Sequence, residues 1–173
     1  IHMKGFEEPT EIQKKIIPLI LENKIDLIGQ AQTGTGKTAA FALPIIEHLQ
    51  PKAGHLQALV LVPTRELAIQ VAEEFNSLRG NKNIHAAPIY GGQSYDTQLR
   101  RLKKGVDVVV GTPGRMIDLL NKKSMSLSEV SFVVLDEADE MLNMGFVDDI
   151  EDILGRTNLN RRTLLFSATM PER

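Results

Sequence analysis

Five apolar runs of strand length punctuate the chain, at residues 25–28, 58–62, 106–110, 132–135 and 163–166, with β-branched residues prominent in most of them. A weaker sixth covers residues 85–90. Between most of these runs the apolar positions change to helical spacing. Phe41, Ile45 and Leu49 recur one turn apart, and Leu67, Val71, Phe75 and Leu78 form a stripe that leaves Glu66, Glu73 and Glu74 off it. Strands that are apolar throughout need cover on both faces, and their alternation with helices predicts an α/β fold with a parallel sheet between helical layers. Pro44 should kink its helix, because it withholds one backbone donor. The 173 residues suffice for one domain, 1–173, with a substantial core. There is no internal repeat and no low-complexity segment. Met170, Pro171, Glu172 and Arg173 read as a chain leaving the domain.

The run at 132–135 delivers two adjacent carboxylates, Asp136 and Glu137, at its carboxyl end, where open α/β sheets place their ligands. By itself such a pair is equally an ordinary solvated turn. A second element changes that balance: Ala31, Gln32, Thr33, Gly34, Thr35, Gly36, Lys37 and Thr38 follow an apolar run and precede a helical pattern. Strand, glycine loop and helix form the context of a phosphate loop. Gly34 and Gly36 allow a tight fold in which backbone N–H groups face an anion at a helix N-terminus. Lys37 would reach the β- and γ-phosphates, and the Thr38 hydroxyl would hold Mg²⁺. Ala31 stands where the usual pattern begins with glycine, so a glycine-rich turn with a surface lysine is the plain alternative.

Other segments are chemically suggestive only in combination. Ser167 and Thr169 end the last run and can lie beside the Asp136 strand end. Thr64 and Arg65, Gly91 and Gly92, and Thr112, Gly114 and Arg115 each follow a strand, and two of these sets open a helix. Each offers backbone N–H groups, a hydroxyl or an arginine suited to phosphodiester contacts that read no bases. Any one set is adequately explained by capping and turn chemistry; three of a kind favour a backbone-binding groove. Thr10 and Gln13 have the spacing of a capping box, and the Gln13 carboxamide also suits the adenine N6/N7 edge. Asn23, Lys24, Ile25 and Asp26 spell a guanine-reading pattern, but before the phosphate loop, so they read as a helix exit and the first residues of a strand. Asp148, Asp149, Glu151 and Asp152 form a solvated helix face. Arg100, Arg101, Lys103 and Lys104 read as a basic exposed helix, with RNA contact the alternative.

Composition narrows the function classes modestly. A net charge of −2 neither announces nor excludes a nucleic-acid binder. There is no cysteine, hence no disulfide framework and no thiolate zinc site, and the four histidines lack metal-ligand spacing. No apolar run approaches the roughly 20 residues of a membrane span, and no signal-peptide core is visible, so a cytoplasmic protein without membrane partners is expected.

Taken in order, Gln13, residues 31–38, residues 63–68, Gly91 and Gly92, residues 112–115, residues 136–139 and residues 167–169 resemble the DEAD-box ATP-dependent RNA helicases over essentially the whole chain. Alanine is common at the Ala31 position in that family. The resemblance implies an N-terminal RecA-like domain that binds ATP and Mg²⁺. Thr10 and Gln13 would recognise adenine, residues 31–38 would hold the phosphates, and Thr38 would hold the metal. Asp136 would contact the metal through water, Glu137 would position the attacking water, and Lys37 would complete the catalytic set. Asp139, Ser167 and Thr169 would couple nucleotide state to RNA. Thr64, Arg65, Gly92, Thr112, Gly114 and Arg115 would touch the sugar-phosphate backbone.

Two departures accompany the resemblance. The family's upstream adenine-stacking aromatic is expected to precede this chain, and Phe6 is not given its role. The second RecA-like domain, whose arginines complete the ATP site, is expected as a separate C-terminal partner of the same protein. Rival expectations are an autonomous one-domain nucleotide-dependent binding module, and a DNA helicase of the same superfamily.

Overall fold

A computed structural model of the chain describes residues 8–22, 25–32 and 34–169. Along it run α1 (Glu11–Glu22), β1 (Leu27–Gln30), α2 (Lys37–His48), β2 (Ala58–Leu61), α3 (Arg65–Leu78), β3 (Ala86–Ile89) and α4 (Tyr95–Lys103). They are followed by β4 (Val108–Gly111), α5 (Pro113–Asn121), β5 (Phe132–Leu135), α6 (Ala138–Asn143), α7 (Val147–Gly155) and β6 (Arg162–Ser167). The strands form one sheet in the order β1-β6-β5-β2-β4-β3, and every pairing is parallel.

The continuous apolar runs conceal a period of two. In β2, β4 and β5 every residue is buried, but Ala58, Val60, Val108, Val110, Phe132 and Val134 enter one layer. Leu59, Leu61, Val109, Val133 and Leu135 enter the other. Successive side chains of a strand point to opposite faces, so burial on both sides requires both sets to be apolar. The first layer centres on Phe41 of α2, whose ring centroid lies 6.1 Å from that of Phe75 in α3 and 5.2 Å from that of Phe166 in β6. The second contains Met116 and Leu119 of α5, Met141 of α6, and Ile150 and Ile153 of α7. Fully burying one such side chain contributes about 1.5–3 kcal/mol, so both layers are needed for the domain to hold together.

Differences from the sequence pattern occur where the sheet has edges. The first strand is Leu27–Gln30, two residues later than the apolar run suggests, and Ile25 and Ile28 are 54% and 70% exposed. β1 is an edge strand whose outer face is uncovered, so apolarity does not mark its limits. What holds it is backbone pairing with β6, the Asp26 carboxylate accepting from the Thr163 N–H at 2.6 Å, and Gly29. A Cβ on Gly29 would lie 2.8 Å from the Phe166 ring, so only glycine lets that ring pack over the strand. At the opposite edge, β3 carries Pro88, which is tolerated because β3 pairs on one side only. The Asn76 side chain takes the open groups of that edge: its amide donates to the Ala86 carbonyl at 2.9 Å and its oxygen accepts from the Ala86 N–H at 3.1 Å. These features account for the weak sixth strand signal.

In α3 the inward stripe is Ala68, Val71, Ala72 and Phe75, with Leu67 and Leu78 only partly buried. Small residues face the sheet because α3 packs directly on β3 and β4. α2 continues past Pro44 to His48 as one helix. Asp148, Glu151 and Asp152 are exposed on α7 as expected, while Asp149 is partly covered. Gln98 is the one buried residue of the basic α4. Among the described residues no helix is long and apolar enough to cross a membrane. Phe6, Asn23, Lys24, Thr33 and Met170 to Arg173 lie outside the described residues.

Candidate nucleotide and nucleic-acid sites at the carboxyl end of the sheet

Parallel strands deliver all their carboxyl ends to one edge of the sheet, and the strand order sorts the candidate residues into two groups there. The phosphate loop, the Asp136–Glu137 pair and the Ser167–Thr169 segment follow β1, β5 and β6, which are neighbours. Thr64 and Arg65, Gly92, and Thr112 to Arg115 follow β2, β3 and β4, which are neighbours on the other side. β5 and β2 join the halves, and the Asp136 N–H donates to the Leu61 carbonyl at 2.9 Å.

The loop has the backbone its glycines imply. Gly34 and Gly36 sit at φ 84° and 80°, in the left-handed region. Gly36 caps α2 with no side-chain hydrogen bond, which leaves the first-turn amides of the helix without a capping side chain. The Thr35 hydroxyl donates to the Gln32 carbonyl at 2.7 Å and tightens the turn, and the Ala31 N–H donates to the Ser167 carbonyl at 3.1 Å. Thr38 is partly buried on the first turn. Thr33, an expected member of this loop, lies outside the described residues.

Thr10 and Gln13 form the predicted capping box: the Thr10 N–H donates to Gln13 Oε1 at 3.0 Å and the Gln13 N–H to Thr10 Oγ1 at 3.5 Å. The two readings of Gln13 merge, because its Nε2 also donates to the Gly36 carbonyl at 3.0 Å. A Cβ on Gly36 would stand 2.5 Å from that Nε2, so glycine is required for this closeness as well as for φ. Each carboxamide atom keeps capacity for one further hydrogen bond.

The decisive contact is between the two motifs. Lys37 Nζ lies 2.8 Å from Asp136 Oδ1, with both side chains almost wholly buried, at 6% and 2% exposure. Such a pair persists only because each charge satisfies the other. Glu137 follows at φ 54°, an uncommon conformation for a non-glycine residue, and its N–H donates to Asp136 Oδ1 at 3.0 Å. That turn separates the two carboxylates, one inward on the lysine and one partly exposed.

Asp139 joins β5 to β6. Its Oδ2 accepts from the Thr169 N–H at 3.0 Å and from the Thr169 hydroxyl at 2.8 Å, while the Ser167 hydroxyl donates to the Thr169 carbonyl. Burial works against the Asp139 carboxylate, but the hydrogen bonds from Thr169 outweigh it and hold its pKa down at about 2. The folded value lies below the ordinary one, so the associated stability is fully present above about pH 4 and is lost as the pH falls through about 2. Asp139→Asn should therefore cost about 1–2 kcal/mol at pH 7, discounted for partial exposure, in urea unfolding. The gap from the unmutated chain should narrow below pH 4; a gap that stays constant from pH 6 to pH 2.5 would contradict this account.

Of the second group, Arg65, Thr112, Gly114 and Arg115 line a cleft of about 490 Å³ together with Gly91 and Asp118, whereas Thr64 and Gly92 are not on its wall. Thr64 caps α3, its Oγ1 accepting from the Leu67 N–H at 3.2 Å, as its spacing predicts. Thr112 caps α5 without using its hydroxyl, and Gly114 leaves open space above the backbone. Arg115 donates to the Gln93 carbonyl at 3.2 Å, and the Arg65 guanidinium sits 5.3 Å from the centre of the Tyr90 ring. Gly92 sits at φ 83°, and a Cβ there would lie 4.0 Å from the Arg65 guanidinium. Tyr90 and Gln93 orient the two arginines; no local pattern in the sequence marks either.

Comparison with known proteins agrees with this geometry. A family model described as DEAD/DEAH box helicase matches residues 10–173. The chain belongs to that family. It is 59% identical over 172 residues to the DEAD-box ATP-dependent RNA helicase CshA of Geobacillus kaustophilus, covering 99% of this chain and 37% of the relative. It is 54% identical over 171 residues to a probable ATP-dependent RNA helicase of Methanocaldococcus jannaschii, covering 99% and 46%. The crystal structure of a DEAD box protein from Methanococcus jannaschii superposes with a TM-score of 0.94 at 53% identity, covering 99% of this chain and 47% of that one. A hypothetical ATP-dependent RNA helicase from Sulfolobus tokodaii gives 0.89 at 45% identity, covering 99% and 49%. The fold is thus the RecA-like domain of a DEAD-box helicase, and the chain spans between about a third and a half of the length of these relatives. In this DEAD-box domain Asp136, Glu137, Ala138 and Asp139 are the residues that spell the family name.

Proposed function

We propose that this chain is the ATP-binding half of an ATP-dependent RNA helicase, which uses Mg²⁺ and separates short RNA duplexes through backbone contacts once joined to a second RecA-like domain. The observation that carries this reading is the sheet end itself. It holds a buried Lys37–Asp136 pair beneath an uncapped helix N-terminus on one side, and a cleft of arginine, glycine and threonine on the other. The relatives named as ATP-dependent RNA helicases support the same assignment.

The residues present suit a nucleoside triphosphate with Mg²⁺. Free first-turn amides, left-handed glycines and a lysine fit phosphate oxygens, and a threonine hydroxyl with a carboxylate is a hard oxygen donor set. When bound, the triphosphate supplies the bond to be broken and the cation offsets charge on its oxygens. Lys37 would exchange Asp136 for phosphate oxygens, and Asp136 would exchange Lys37 for the cation, which it would hold through water. Thr38 would hold the metal through its hydroxyl. Glu137 orients the attacking water and accepts its proton. Gln13 reads adenine with the remaining donor and acceptor of its carboxamide, and its bond to Gly36 carries that contact to the loop.

On the other half, Thr64, Arg65, Gly92, Thr112, Gly114 and Arg115 hold one RNA strand by its sugar-phosphate backbone, which makes binding indifferent to base sequence. Asp139, Ser167 and Thr169 couple nucleotide state to RNA, since any shift of the β6 end is felt at the β5 end through the Thr169 bonds, and β5 pairs with β2, which leads into the groove. The experiment uses this chain fused to a C-terminal RecA-like domain. ATP turnover should rise on adding RNA of any sequence and much less on adding DNA. Arg115→Ala should weaken RNA binding uniformly across sequences and reduce the salt dependence by about 0.7 in log–log slope, with ATP affinity unchanged. Equal stimulation by DNA would instead support a DNA helicase.

A further inference from the structure

We propose that RNA leaving the groove continues around the β3 edge into a second basic cleft at the amino ends of the strands, so that this domain holds a longer stretch of strand than its groove alone. The proposal rests on the RNA reading of the groove. The second cleft has a volume of about 910 Å³ and is lined by Lys52, Lys103, Lys104 and Lys123. All four lysines are exposed, and among the described residues none takes part in an ion pair. In a chain of net charge −2 this is a local concentration of cations, such as a phosphodiester backbone recognises. The carboxylate on its wall, Asp107, is buried and turned to internal work, accepting from the His85 N–H at 2.9 Å and from Gln57 Nε2 at 3.0 Å. His85 is likewise engaged, by Arg79 and Asn83, whereas His55 is exposed.

Continuity with the groove selects RNA as the occupant. A third cleft of about 510 Å³ runs along the β3 edge and shares His85, Lys104, Gly105 and Val106 with the lower one. Its wall carries Arg101, with Glu73 the one carboxylate, and at its upper end lies Tyr90, the ring beneath Arg65. Cations therefore follow one another from Arg65 through Arg101 and Lys104 to Lys52 and Lys123. This line absorbs the basic stretch of α4, which the nucleotide site leaves unused.

Backbone geometry provides a clean test. Lys52 and Lys123 lie at φ 62° and 51°, in the left-handed region that favours glycine. Lys123 follows the end of α5, where the Ser124 N–H closes the helix on the Leu119 carbonyl at 3.0 Å, the position most often held by glycine. A Lys52→Gly/Lys123→Gly double variant thus removes two charges while relaxing the backbone, and its Tm should equal or exceed that of the unmutated chain. Binding is measured for single-stranded RNA of about 6 and about 20 nucleotides, lengths that bracket single-strand footprints. The double variant should bind the short RNA unchanged and the long RNA about 5- to 10-fold more weakly. Its salt slope for the long RNA should fall by about 1.4, near 0.7 per lost phosphate contact. Unchanged affinity and slope for the long RNA, or equal losses at both lengths, would overturn the proposal. If short RNA does not bind while long RNA still depends on these lysines, the groove reading fails and the lower cleft stands.

Discussion

Supplied with ATP, Mg²⁺ and RNA, this chain alone should turn over ATP about 10³- to 10⁵-fold more slowly than the same chain joined to a second RecA-like domain. The reason is visible in where its arginines lie. Arg65 and Arg115 line the proposed RNA groove, Arg100 and Arg101 lie on α4, and Arg161 and Arg162 stand at the amino end of β6. Among the described residues none is at the carboxyl ends of β1, β5 and β6. Charge developing on the transferred phosphoryl group would meet Lys37 on one side and nothing cationic from across the cleft. On the proposed reading nucleotide binding needs only the loop, Gln13 and Lys37, so affinity should survive while rate is lost. Single-turnover hydrolysis compared with equilibrium binding of a fluorescent ATP analogue separates the two quantities. RNA-stimulated turnover by the isolated chain at the fused protein's rate, abolished by Lys37→Ala, would sink this expectation.

Lys37→Met is expected to cost about 3–5 kcal/mol of stability and to abolish nucleotide binding. Methionine fills much of the lysine's volume, so the loss measures the charge. Asp136, at 1% exposure, would be left buried without its cation 2.8 Å away. Adding Asp136→Asn should then recover most of the stability, because a neutral amide no longer needs that partner, yet nucleotide binding should stay absent. Urea unfolding of the single and double variants, with the binding assay alongside, makes the comparison. A single variant as stable as the unmutated chain would mean that the buried pair is not what holds α2 against β5. The pair satisfies both buried charges, and on the proposed reading it keeps both side chains where a phosphate and a cation would each replace one of them.

The chemistry of the site was legible because each motif is local. Gly34 and Gly36 announce their left-handed turn, Thr10 and Gln13 their capping box, and the apolar run ending at Asp136 its strand. The edges were harder to read. β1 was displaced by two residues because Ile25 and Ile28 are exposed on an uncovered face, where composition carries no burial signal. β3 was faint because its open groups are met by Asn76 and its unpaired side tolerates Pro88. Tyr90, whose ring faces Arg65, was not singled out, since one ring leaves no pattern, and Gln93 was noted only as part of its glycine segment, not for the backbone carbonyl that Arg115 meets.

The sequence by itself marked which residues could bear chemistry, and that a parallel sheet lies between helical layers, because propensity, glycine geometry and hydrophobic period act over a few residues. Only the tertiary structure decided which motifs become neighbours. The order β1-β6-β5-β2-β4-β3 sets the phosphate loop beside Asp136, brings Thr169 to Asp139 and gathers the arginines into a separate groove. Pairing between strands distant in sequence is settled by how whole layers pack, and no short stretch of residues encodes that.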